Sequence, residues 1–125
     1  MILRVSNLVR VSSLLLISVV MLAPTLLVAQ EKVKVVASFS ILGDMVRQVT
    51  GDLAEVKTIV GPDADAHVYT PSTADAKSVA HAEIIFVNGL GFETWSQTLI
   101  ETSDTKAEVF IATNGITPLM VDGQI

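Results

Sequence analysis

The residues best equipped for chemistry lie in one turn-rich stretch, GPDADAHVYTPSTAD, residues 61–75. His67 stands there among Asp63, Asp65 and Asp75, between Pro62 and Pro71, in a chain with only two histidines. A neutral imidazole is a good ligand for zinc and related divalent ions, but a tetrahedral site takes about four protein donors, or three and a water. This stretch offers one imidazole, so spacing alone leaves two readings open: a metal ligand, or a solvated ring that hydrogen-bonds within a turn. Asp63 and Asp65 are open in the same way, as oxygen donors, as groups that orient the imidazole, or as turn formers. Tyr69 either packs on such a site or covers a sheet edge.

The other candidates carry less. His81, in KSVAHAE, falls at the end of a predicted helix, where the negative pole of the dipole favours a protonated ring, and it reads as structural. Gly89-Leu-Gly91-Phe-Glu-Thr94 follows a predicted strand and opens a predicted helix, as a dinucleotide fingerprint does. Thr94 replaces its third glycine, however, and Thr113 or Asn114 stands where the ribose-binding acid belongs. There is no G-x-S-x-G elbow and no cysteine nucleophile. Phe92 and Trp95 have the spacing of a helix face turned to a core. Asp44 and Glu93 could meet in space, although no spacing ties them together.

The elements that must position these residues alternate regularly. KVKVVASF, 32–39, is β-branched and apolar with little alternation, as a strand covered on both faces of a parallel sheet would be. Ile41, Leu42, Met45, Val46 and Val49 then recur at helical spacing up to Gly51, which stands where a left-handed C-cap is needed. AEVKTIV, 54–60, is a second strand, and the His67 loop leaves its carboxyl end. Ser72 and Asp75 form a capping box for a helix reaching about His81. EIIFVN, 83–88, is a third strand, Phe92 to Ile100 mark a third helix, and EVFIAT, 108–113, is a fourth strand. Strand–helix alternation of this kind predicts an α/β fold: an open four-stranded parallel sheet with helices on both faces. Ligands of such sheets bind beyond the carboxyl ends of the strands, which is where the His67 loop belongs.

Composition narrows the class. Residues 1–29 contain Arg4 and Arg10, no acid, and the apolar run SLLLISVVMLAPTLLVA broken by Pro24, the pattern of a secretory signal peptide cleaved after Ala29. The chain has 8 basic and 13 acidic residues, net −5, and losing the leader would leave six against 13. No basic cluster remains for phosphates or anionic lipid, which argues against nucleic acid and favours a cation as ligand. With no cysteine there is neither a disulfide nor a thiol for lipid attachment, so a soluble protein in a compartment such as a periplasm is expected.

Three segments together resemble one family, the zinc- and manganese-specific solute-binding proteins of bacterial ABC importers. VVASFSILGDMVRQVTGD is similar to that family's first strand and helix, GPDADAHVYTPSTAD to its first metal loop, and AEIIFVNGLGFETW to its third strand and the following helix start. The Asp-x-His-x-Tyr-x-Pro-Ser pattern at 65–72 is the most specific element, and it puts the family's first metal-ligand histidine on His67. Ala66 and Thr70 depart from the proline and glutamate usual there, but neither position is a ligand. The resemblance implies that residues 30–125 are the N-terminal lobe of a two-lobed protein, with the second histidine and the ligands of the second lobe beyond residue 125. It further implies a monomer that catalyses no reaction, carries Zn2+ or Mn2+ as its transported ligand, and delivers it to an ABC permease. Two rivals remain: a Rossmann-like enzyme fragment that takes a phosphate or nucleotide at the Gly89–Gly91 turn, and an adhesion-type surface protein with a structural metal.

Overall fold

The computed structural model describes residues 30–121. The expected signal peptide, 1–29, and residues 122–125 of the expected lobe lie outside the described residues.

Four strands, β1 (Val33–Phe39), β2 (Ala54–Val60), β3 (Ile84–Val87) and β4 (Glu108–Ile111), form one sheet in the order β2-β1-β3-β4. Every pairing is parallel: Val33 lies opposite Ala54, Val35 opposite Ile84, and Ile84 opposite Glu108. Between the strands run α1 (Ser40–Thr50), α2 (Thr73–Ala80) and α3 (Trp95–Thr102), with a short 3-10 turn at Gly51–Leu53. The predicted fold class is therefore the observed one.

Side chains alternate across a strand, so each strand feeds two cores. On one face Val35 and Ala54 pack with Val46 of α1, flanked by Val56, Ile84 and Phe86. On the other, Val36, Ile59, Ile85 and Val87 pack with Val79 of α2 and Leu99 of α3. The central strand β1 is covered on both faces, which explains its unbroken apolar run. β4 is an edge strand whose four residues are all exposed, so its apolar sequence overstated its burial.

The expected apolar face of α1 is also corrected. Ile41, Met45 and Val49 are 62%, 59% and 87% exposed, whereas Leu42, Gly43 and Val46 are buried. Gly43 decides this, because a Cβ there would collide with Thr58 Oγ1 on β2. The helix rests its glycine on the sheet, and the 41/45/49 stripe turns to the flank.

Gly51 ends α1 with its N–H donated to the Arg47 carbonyl. Its φ is positive, as expected, but its φ 51°, ψ −127° lies outside the left-handed helical region, in space that only glycine occupies at low cost. No atom lies within 4 Å of a Cβ built there, so a side chain would meet backbone strain alone. Gly51→Ala is expected to lower unfolding stability by about 1–3 kcal/mol, measured by urea denaturation, while leaving the circular dichroism of the native state unchanged.

Candidate metal centre

In the order β2-β1-β3 the chain leaves β1 towards one neighbour through α1 and reaches the other through α2, on the opposite face. Loops leaving the carboxyl ends of β1 and β3 therefore diverge, and a crevice opens above them. His67 lies over this crevice. Its ring meets Phe92, which follows β3, edge-on with centroids 4.4 Å apart, and Phe92 meets Phe39 at the end of β1 at 5.0 Å. An exposed imidazole thus stands on an aromatic support rooted in two strands.

Its backbone is held as well. Asp65 Oδ1 accepts from the His67 N–H at 2.8 Å, and Trp95 Nε1 donates to the carbonyl of buried Ala66 at 2.6 Å. Asp65 is therefore a turn former here, one of the roles its position left open. Tyr69 sits edge-on against Trp95, centroids 5.3 Å apart, and donates its hydroxyl to Asp75 Oδ2 at 2.9 Å. These contacts tie Tyr69 to α3 and to the start of α2.

The far end of the loop is closed by the predicted capping box. Ser72 Oγ accepts from the Asp75 N–H, and Asp75 Oδ2 accepts from both the Ser72 N–H and the Ser72 hydroxyl. Burial alone would push the Asp75 carboxyl up, but the Ser72 and Tyr69 hydrogen bonds and the charge of Lys57 outweigh it and hold it below its ordinary value. The Tyr69 hydroxyl is raised in turn, first because it donates to Asp75, then by burial and by the Asp75 charge.

A second polar group lies under the crevice. Glu93, 4% exposed, accepts from the hydroxyl of buried Ser38 on β1 at 2.7 Å and from the N–H of Asn88, just past β3. Its other oxygen, Oε2, is buried without a hydrogen-bonding partner among the described residues. Glu93 thus pairs with Ser38, while Asp44 is exposed on α1, so the carboxylate pair considered from sequence does not form. The Ser38–Glu93 link was missed because a serine inside an apolar strand has no spacing signature. The signal was compositional: a lone hydroxyl in VVASF and a lone acid at a strand–helix joint.

The same carboxylate bears on the nucleotide rival. Gly89, Leu90 and Gly91 all have positive φ, and the turn is closed by the Phe92 N–H donating to the Gly89 carbonyl at 3.1 Å. The Asn88 amide at its start is already taken by the Glu93 side chain, which removes a donor that a phosphate would need there.

His81 caps α2 with Nδ1 2.7 Å from the Lys77 carbonyl, a structural role as expected. Among the described residues, no three His, Asp or Glu side chains come together as a metal cage. A cleft of about 460 Å3 between α3 and β4, lined by Val87, Gly91, Glu93, Ile100, Val109 and Ile111, includes neither histidine. The chemistry places the candidate ligand on the crevice rather than in that apolar cleft.

Comparison with known proteins gives the site its context. The family described as "ZnuA: Zinc-uptake complex component A periplasmic" matches residues 35–124. The manganese-binding lipoprotein MntA of Halalkalibacterium halodurans is 44% identical over 75 residues, which are 59% of this chain and 25% of that protein. The iron-binding protein YfeA of Yersinia pestis is 36% identical over 92 residues, 73% of this chain and 29% of that one. The Mn-bound periplasmic metal binding protein from Candidatus Liberibacter asiaticus superposes with a TM-score of 0.67 at 32% identity, over 75% of this chain and 36% of that one. The chain spans about a quarter to a third of the length of such relatives.

Asp75 makes the stability of this region sensitive to acid. Because its folded value lies below the ordinary 3.8, it stabilises the fold above that value, and the contribution is lost as pH falls through the folded value. Asp75→Asn is expected to cost about 1–3 kcal/mol near neutral pH. It should also flatten the fall in unfolding midpoint between about pH 5 and about pH 2, as followed by thermal melts across that range.

Proposed function

The chain belongs to the zinc-uptake complex component A family, and from that premise we propose that the protein captures a divalent transition metal outside the cytoplasmic membrane and hands it to an ABC permease. Residues 30–125 are one α/β lobe of it, His67 is the metal ligand that this lobe contributes among the described residues, and no reaction is catalysed. The observation that carries the reading is the supported imidazole: an exposed ring, braced by Phe92 and by an aspartate turn, over the crevice between β1 and β3.

The physical logic is consistent. A net charge of −5 favours the approach of cations over that of phosphates or nucleic acid. A single imidazole holds a metal weakly, so tight capture requires donors from elsewhere in the protein, and donors on a second lobe would couple capture to closure. Only the neutral ring offers a lone pair, so protons and metal compete for His67. Zinc and manganese are the expected cargoes. Iron joins them because the Yersinia pestis relative is described as iron-binding. The relative from Halalkalibacterium halodurans is described as a lipoprotein, whereas this sequence has no cysteine to carry a lipid; a soluble monomer exported by residues 1–29 fits that difference.

His67→Ala in the full-length protein that carries this lobe should weaken zinc or manganese binding by more than about tenfold, read by competition with a chromophoric chelator. Unchanged affinity would remove His67 from the metal shell.

A further inference from the structure

The peptide unit that carries His67 into the site is tied at both edges. On one side the Ala66 carbonyl accepts from Trp95 Nε1 at 2.6 Å, across 29 residues of sequence. On the other, the His67 N–H donates to Asp65 Oδ1 at 2.8 Å. In a trans peptide these two groups point in opposite directions, so the pair of bonds fixes the plane between Ala66 and His67 and with it the direction in which the histidine leaves the backbone. The Asp65 bond is local and would form in many loop conformations. The Trp95 bond is different, because Trp95 opens α3 and the loop leaves β2, at the opposite side of β1. Only the folded sheet brings them together.

We propose that Trp95 is a positioning residue for the metal site: its indole N–H latches the Ala66 carbonyl and holds the His67 imidazole against Phe92 before metal arrives. The part that concerns metal rests on His67 being a ligand, as proposed above. A tryptophan at this point would ordinarily be read as core packing, and its ring is indeed partly buried beside Leu99 and Tyr69. Packing, however, needs only the ring. The latch needs the N–H, and the geometry supplies an acceptor for it on the residue next to the histidine. Fixing a ligand in advance removes the ordering cost that a free loop would incur on binding, so the latch acts on affinity as well as on stability.

Trp95→Phe separates ring from N–H, and the indole NMR signal that disappears in this variant is the one from Trp95. In the metal-free full chain that signal should exchange with solvent at least about a hundredfold more slowly than a free indole; exchange at the free rate overturns the latch, whether or not any variant folds. In Trp95→Phe the sheet amides should keep their dispersion while the cross-peaks between the His67 and Phe92 rings fade. Cross-peaks of unchanged strength would overturn the positioning role. With Mn2+ alone as probe, followed by paramagnetic broadening, Trp95→Phe should weaken binding about three- to tenfold, and that loss should vanish in a His67→Ala background. A loss that persists there would mean that Trp95 acts on the fold and not through His67, which also overturns the proposal. If His67→Ala binds Mn2+ as tightly as the unaltered chain, His67 is not a ligand, and the proton exchange and ring cross-peaks still decide the latch independently.

Discussion

The constraint on which the rest depends is the place of β1 between β2 and β3, with the crossover helices on opposite faces of the sheet. Parallel strands cannot be joined by tight turns, so each connection must climb over a face and return. Where successive connections take opposite faces, the loops above the carboxyl ends part and leave an unfilled crevice. Nothing in that arrangement is specific to metal. It creates a place where a loop from β2 and a turn after β3 face each other across the end of β1, and the side chains at that place decide what it does.

Two polar devices keep the crevice in shape. Below it, the buried Glu93 carboxylate joins the Ser38 hydroxyl of β1 to the Asn88 amide beyond β3, which fixes the Gly89–Gly91 turn and so the position of Phe92. A carboxylate buried in this way is costly unless it is hydrogen-bonded, and the strand ends supply two donors to one of its oxygens. At the rim, the buried Asp75 carboxylate gathers three donors from Tyr69 and Ser72 and ties the loop to the start of α2. His67 lies between these anchors, with its exposed ring against Phe92 and its backbone held. A ligand residue needs that combination: rigid support, and a lone pair open to the approaching ion.

Of the two imidazoles among the described residues, His67 alone stands at the strand ends, while His81 caps α2. The relatives are three to four times longer than the stretch they share with this chain.

Much of this was legible from residue order. β-branched runs, the Ser72–Asp75 box and the glycine punctuation determined four strands, three helices and the α/β class, because these signals act within a few residues of chain. The same local grammar placed His67 in a loop at a carboxyl edge. It could not rank Ile41, Met45 and Val49 against Leu42, Gly43 and Val46, since the decision came from the approach of Gly43 to Thr58, fifteen residues away. Nor could it join Ser38 to Glu93, or Trp95 to the carbonyl before His67, because those partners are brought together only when β3 settles beside β1. The sequence by itself determined which elements form and which ring lies in the loop at the strand ends; the tertiary structure alone decided what holds that ring in place, because hydrogen bonds between distant residues exist only after the sheet has fixed their distance.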